Sequence, residues 1–403
     1  MKMQFSSNIG RLKPSATIAV NTLAKELAAE GRDIINLSAG EPDFDTPAFI
    51  SEAGVQGIRE GKTRYTPPAG MPELRQAIAA HLAARSGREV DWNRIVVTSG
   101  AKQALFNATF SLFGPGDEVL IPTPYWTSYP DVVALARAEP VPVPGAVERD
   151  FKVTAEELEG YRTERTRGLI LNTPCNPTGA VYHGHELEAI ARWARGHGIW
   201  LLSDEIYHNI YHADDAPVAP GLLDLPEDAL GDFVLLDGAS KSYAMTGWRI
   251  GFSLSPLDLA AKMTALQSQI TSNAAAPSQA AALAAFSREE EARASIAAME
   301  QAFRRRRDLV VERMRERLPG VGFIVPTGAF YLYFRVDTLF TGEIRDATAW
   351  CSHLLREEGV ALVPGAAFGD DRWVRMSYAA SDETLEEAFA RMGRLVSNAA
   401  GHA

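Results

Sequence analysis

Phe233-Val-Leu-Leu-Asp-Gly-Ala-Ser-Lys-Ser-Tyr-Ala-Met-Thr-Gly-Trp-Arg-Ile-Gly-Phe252 is the stretch whose reading decides the fold. Its first four residues are apolar without alternation, the pattern of a strand buried on both faces. The run ends at Asp237-Gly238 and passes into a segment of small residues that carries Lys241 and then Arg249. A lysine after a strand is ordinarily a solvated surface residue. In a half-buried setting its charge is costly unless it is compensated or its amine is used.

Working outward, the same kind of run recurs at Ile95–Thr98, Glu118–Ile121, Gly168–Leu171 and Trp200–Leu202. Val141–Val143 is at best an edge strand, because prolines surround it. Helical periodicity separates these runs at 48–60, 72–85, 101–112, 126–137, 154–160 and 184–197. Buried strands alternating with helices predict an α/β fold with a mainly parallel sheet between helices. Such sheets bind ligands at the carboxyl ends of their strands. Ser99-Gly100, Asn172, Asp204 and Lys241 each follow one of these runs, so scattered polar residues share one edge.

The two ends of the chain read differently. Residues 1–12 form a polar arm, 18–30 a helix and 34–37 a short strand, followed by the turn-rich Ser38-Ala-Gly-Glu-Pro-Asp-Phe-Asp-Thr-Pro47. A charged helix is expected over roughly 287–317, with short antiparallel strands at 320–325 and 329–334, then a helix, two more strands and a terminal helix. The expected organisation is an arm (1–12), a smaller α+β domain built from 13–47 and 291–403, and a large domain over 48–290.

Composition narrows the function. The 403 residues carry a formal net charge of -11 and no basic block suited to nucleic acid. Arg304-Arg-Arg-Arg307 lies among acidic neighbours and reads as a solvated helix face. Two cysteines, Cys175 and Cys351, make no disulfide framework or metal motif, which suits a reducing cytoplasm. No apolar run reaches the ~20 residues of a membrane span, and the N-terminus lacks a signal-peptide core. The expected location is cytoplasmic, with neither membrane nor nucleic acid as partner.

A lysine amine beside an arginine able to hold a phosphate is what a Schiff-base cofactor such as pyridoxal 5'-phosphate requires. Three further strings support it: Leu171-Asn-Thr-Pro-Cys-Asn-Pro-Thr-Gly179, with Asn176-Pro177 a candidate cis peptide; Leu202-Ser-Asp-Glu-Ile-Tyr207; and Ser99-Gly-Ala-Lys-Gln-Ala104, a turn into a helix whose free N–H groups can hold a phosphate. Together with Gly40–Pro47, Tyr65–Gly70, Pro124–Trp126 and Val374–Tyr378 they resemble the fold-type I pyridoxal-phosphate enzymes. Among these the chain looks most like the aspartate aminotransferase family (class I/II), bacterial aspartate subgroup.

The resemblance implies a role for each residue. Lys241 would carry the cofactor and shuttle the proton, and Asp204 would pair with the ring nitrogen. Asn176 and Tyr207 would bond the ring 3'-oxygen, and Trp126 would stack on the ring. Arg249, Ser240 and the Gly100-Ala101-Lys102 amides would hold the phosphate, joined by Tyr65 from the neighbouring subunit of a homodimer. Arg375 and Gly40 would take the substrate α-carboxylate. Lys102 and Lys13, with Ser15 and Thr17 nearby, would read a distal carboxylate. One departure stands out: many relatives carry a hydroxyl three positions before the lysine, where this chain has Gly238.

The implied reaction is ping-pong transamination between aspartate and 2-oxoglutarate. The alternative is an aromatic, prephenate-type or other neutral amino-acid aminotransferase on the same scaffold. A lyase or synthase, or a cofactor-binding regulator, is the remoter alternative, and the chain has no basic helix for the last.

Overall fold

The computed structural model describes residues 6–10 and 16–400. Lys13 and Ser15, to which the sequence assigned substrate roles, and most of the expected arm lie outside the described residues. Among the described residues the main sheet has seven strands, in the order Ile95–Thr98, Gly251–Leu254, Phe233–Gly238, Trp200–Asp204, Thr166–Asn172, Glu118–Thr123, Glu139–Pro144. All neighbours pair in parallel except Gly251–Leu254, which is antiparallel to both its partners. That four-residue strand was not anticipated. Gly251 and Ser253 break its apolar run, and it follows the lysine segment directly instead of a helix.

The continuous apolar runs exist because the sheet separates two cores. Ile95, Val97, Leu169, Leu171, Leu201 and Leu235 point into one, with Leu74, Ile78 and Leu82 of the helix Pro72–Ser86. Val96, Ile170, Leu202, Val234 and Leu236 point into the other, with Ala104, Leu105 and Ala108 of the helix Ala101–Leu112. Alternate residues of one strand thus serve opposite faces. The proline strand is at the edge, as expected. Pro140, Pro142 and Pro144 alternate along Glu139–Pro144, so its missing N–H groups can all lie on the unpaired side.

A third core lies outside the sheet. Phe303, Val310 and Met314 of the helix Glu289–Arg317 pack with Leu332 and Phe334, Trp350 and Leu354, Val374 and Met376, and Leu385 and Phe389. Its four-stranded antiparallel sheet runs in the order Val363–Pro364, Trp373–Ser377, Tyr331–Arg335, Phe323–Ile324. The helix Ala16–Ala29 joins this side through Ala24, against Leu355 and Ala361. Ile35–Asn36 pairs in parallel with Val360–Ala361, tying the first described strand to the last third of the chain.

One expectation fails here. Arg305 is indeed exposed on the long helix, but Arg306 is not. Its side chain retains only 8% of its exposure, because the 38–47 loop folds over it and supplies Asp43 as a partner. The sequence neighbours of Arg306 could not show a carboxylate more than 260 positions away.

Candidate active site

The strand ends and the third core meet at a cleft of ≈ 380 Å³. Asp204 is the last residue of its strand, and Lys241 lies in the one-turn helix Ala239–Ser242 that follows the neighbouring strand. The sheet therefore delivers both from adjacent strands to one edge. Asn172 ends the next strand, and its amide donates to the Asp204 carbonyl at 2.9 Å while its Oδ1 accepts from Asn176 N–H at 2.7 Å. Asn176-Pro177 is cis, as anticipated.

The Asp204 carboxyl is buried and hydrogen-bonded. Tyr129 donates its hydroxyl to Oδ2 at 2.7 Å, and Ile206 N–H donates to Oδ1 at 3.3 Å. Desolvation nevertheless lifts its pKa to about 6, with those two donors opposing the rise. Desolvation likewise lowers the Lys241 pKa to about 8, against the nearby Glu41 carboxylate and with help from Arg249 and Arg375. The Lys241 amine donates to the carbonyl of Gly40.

Gly100, Ala101 and Lys102 open the helix Ala101–Leu112, and Arg249 lies against them. Gly100 is at φ 86°, and a Cβ there would sit 2.4 Å from Arg249 Nη2. Arg249 is itself held at φ 57°, a left-handed conformation that costs a non-glycine residue roughly 1–2 kcal/mol. Its guanidinium donates to the carbonyls of Thr246 (3.0 Å) and Ser99 (3.4 Å). Gly238 explains its own departure: it faces Gly251 in the antiparallel pair, and a Cβ on it would come within 2.8 Å of the Gly251 Cα and the Ile250 carbonyl. A side chain, hydroxyl or not, has no room there. Ser240, two residues on, is buried at the cleft wall.

Arg375 reaches the cleft from the antiparallel sheet. Its Nη1 donates to Asn176 Oδ1 at 3.0 Å and its Nη2 to the Ser38 carbonyl at 2.7 Å, while the buried Nε has no partner. The guanidinium lies 4.5 Å above the ring of Tyr331, whose hydroxyl bonds that of Tyr207 at 2.8 Å. A Cβ on Gly40 would lie 3.1 Å from the same Tyr331 hydroxyl, so this close approach suits glycine. Lys102 places Nζ 4.8 Å from the Trp126 ring centroid at the cleft wall. Desolvation lowers its pKa, and Arg249 adds to the effect.

Of the residues the sequence singled out, Gly40, Ala101, Lys102, Trp126, Asn176, Asp204, Tyr207, Ser240, Lys241, Arg249 and Arg375 line this cleft. Gly100 backs it through Arg249, and Tyr65 stands apart, 89% exposed. Two contributors were missed. Tyr129 lies in the helix Ser128–Leu135, which begins after Trp126, and only packing brings its hydroxyl to Asp204. Tyr331 was not recognisable, because its alternating Phe-Tyr-Leu-Tyr-Phe run reads only as a core strand.

The residues fit a phosphorylated pyridine aldehyde. A low-pKa amine, a buried carboxyl, and a helix start with an arginine fitted against its glycine lie around one cavity, which is the donor set such a cofactor needs.

Comparison with known proteins agrees with this geometry. Residues 32–392 match the family model for aminotransferase class I and II. The chain is 43% identical to an aspartate aminotransferase of Streptomyces avermitilis, over 98% of this chain and 97% of that one. It is 44% identical to an aspartate/prephenate aminotransferase of Cereibacter sphaeroides, over 96% and 97%. Among solved structures, the aspartate aminotransferase of Thermus thermophilus with maleate superimposes with a TM-score of 0.91 at 40% identity, covering 98% of this chain and all of that one. With the family model spanning most of its length and such relatives matched nearly end to end, the chain belongs to the class I and II aminotransferases.

Proposed function

We propose that this aminotransferase uses pyridoxal 5'-phosphate to transfer the amino group of aspartate to 2-oxoglutarate in two half-reactions. The observation that carries the proposal is the convergence of Lys241, Asp204 and Arg375 on one cleft that also presents the cation of Lys102. The relatives named for aspartate support the donor.

When bound, the cofactor supplies a ring that draws electrons from the substrate Cα and a carbon that carries the amino group between half-reactions. Lys241, Asp204, Arg249, Ser240 and the amides of Gly100, Ala101 and Lys102 would hold it. Trp126 would offer it an aromatic surface, and Asn176 and Tyr207 would offer it polar groups. Asp204, desolvated by burial, would be stabilised as a carboxylate by a protonated ring nitrogen. Lys241, its pKa lowered to about 8, can take a proton from the substrate Cα and deliver it to the cofactor carbon on the other side of the amino nitrogen, because both of its protonation states are accessible near neutrality.

Arg375 binds the α-carboxylate. Its planar fork is already oriented by Asn176, Ser38 and the Tyr331 ring, and a carboxylate can accept from the unpartnered Nε. Lys102 binds the distal carboxylate, exchanging its contact with Trp126 for a charge-assisted bond of roughly 1.5–3 kcal/mol. Lys13 completes that role in the proposal.

Tyr65, a large aromatic left 89% exposed, supports a homodimer in which it reaches the partner's phosphate. The third core, which draws most of its residues from 13–47 and 291–403 and only a few such as Ile206, Tyr207 and Ile210 from elsewhere, supports a small domain of 13–47 and 291–403 beside a large one of 48–290. A panel of amino donors with 2-oxoglutarate tests the reading. Aspartate should lead in kcat/KM, and a lead for a neutral amino acid would reject it. Prephenate as acceptor is the second reading, favoured by the aspartate/prephenate relatives. Release of pyruvate without an acceptor would indicate a lyase instead.

A further inference from the structure

The catalytic reading leaves the arginine run at 304–307 unused, and one member of it reaches a loop of the cleft. Arg306 makes a two-pronged bond to Asp43, Nη1 to Oδ1 and Nη2 to Oδ2, each at 2.8 Å. Its guanidinium also lies 5.2 Å from the Phe44 ring centroid and 5.9 Å from that of Phe303, and those two rings meet edge to face at 5.5 Å. Asp43 and Phe44 belong to the loop 38–47, which contains Gly40.

That loop has no regular structure of its own, so its position depends on its anchors. On one side Arg375 holds the Ser38 carbonyl. On the other, Thr246 donates to Glu41 at 2.9 Å, Thr46 donates to the Ala244 carbonyl at 2.7 Å, and Trp248 donates to Thr46 at 3.0 Å. Between them the loop touches Lys241 through Gly40. That last bond uses the amine that catalysis needs, so it cannot hold the loop while Lys241 is engaged. Arg306 is then the anchor nearest the middle of the loop that takes no part in the chemistry.

We propose that Arg306 is a positioning residue: its fork on Asp43 holds the 38–47 loop so that Gly40 stays aligned with Arg375 to receive the substrate carboxylate. Arg306 does not line the cleft, so it acts only through the loop. A bidentate, largely desolvated pair is suited to this, because it specifies orientation as well as distance. The role rests on the transamination reading given above.

The test uses the cofactor-loaded enzyme with Arg306→Met, Asp43→Asn, their double variant, and Arg306→Lys. Loss of the clamp should raise KM for the amino donor by about ten-fold while kcat stays within about two-fold, the signature of lost uniform binding. The double variant should be no worse than Arg306→Met alone, because that change already removes the fork together with the 3.6 Å pairing to Asp382 and the ring contacts. Arg306→Lys should recover part of the loss. Hydrogen exchange of 38–47, measured with and without cofactor, should quicken in Arg306→Met. Unchanged exchange, unchanged KM, or additive losses in the double variant would overturn the proposal. So would KM and kcat worsening together with a lowered thermal midpoint, which marks a merely structural pair. If wild-type enzyme transaminates no amino acid, the functional reading falls, while the exchange experiment still decides whether Arg306 holds the loop.

Discussion

The two walls of the cleft are built in opposite ways. On the sheet side, Asp204 ends one parallel strand and Lys241 lies in the one-turn helix that follows its neighbour, so the sheet brings both to one edge. On the other side, Arg375 comes from a small antiparallel sheet and Gly40 from an irregular loop, joined by contacts between residues more than 300 positions apart. The sheet wall holds groups whose proton affinities must be set by burial. The loop wall holds groups that must meet a ligand and release it. Rigid elements suit the first task, and an anchored loop suits the second.

The largest expected effect probes the sheet wall. Lys241→Ala should cost at least about a hundred-fold to ten-thousand-fold in turnover, the range of a lost acid–base group, and should abolish the visible absorbance of the loaded enzyme. An unchanged spectrum would break the comparison at its root. On the loop wall, Arg375→Lys keeps the charge and loses the fork. Its kcat/KM for aspartate should fall by about 30-fold or more, the loss expected for a disrupted buried charge pair, with cofactor affinity retained. Equal loss of cofactor binding would show that the walls are not separable.

Lys102→Ala should reduce kcat/KM for aspartate by roughly ten- to hundred-fold, the worth of a charge-assisted bond, and for phenylalanine by less than about three-fold. Equal losses would remove the lysine from substrate recognition.

The smallest effect is on stability against pH. Lys241 titrates near 8 in the folded chain and near 10.5 when unfolded, so between these values the unfolded state binds more protons. Cofactor-free wild type should therefore gain thermal stability relative to Lys241→Met as pH rises from 8 to 10.5. Asp204, raised from 3.8 to about 6, acts in the opposite sense: stability should fall as pH rises through that window, and Asp204→Asn should flatten the fall. Thermal melts across pH would check both signs.

How much could be read in advance differs between the walls for the same reason. Ile95–Thr98 and Phe233–Leu236 announce themselves as doubly buried strands, and the polar residue after each run then marks the ligand edge. Gly251–Leu254 was missed because Gly251 and Ser253 interrupt its apolar residues, so no continuous apolar run marks it. Arg306 was misread because its partner, Asp43, is brought to it only when the loop folds across the long helix. Tyr331 was hidden in a strand that reads as plain core, and only the stacking of Arg375 on its ring shows its use.

The sequence by itself determined the alternating elements, the shared strand edge with Lys241 and Asp204, and the family resemblance carried by strings such as Gly40–Pro47. These depend on local periodicity and on residues close in the chain. Only the tertiary structure decided that Gly238 has no room for a side chain, that Tyr129 holds Asp204, and that Arg306 reaches across to the loop beside Gly40. Each of those depends on distances between segments far apart in the chain, which packing sets and local sequence does not encode.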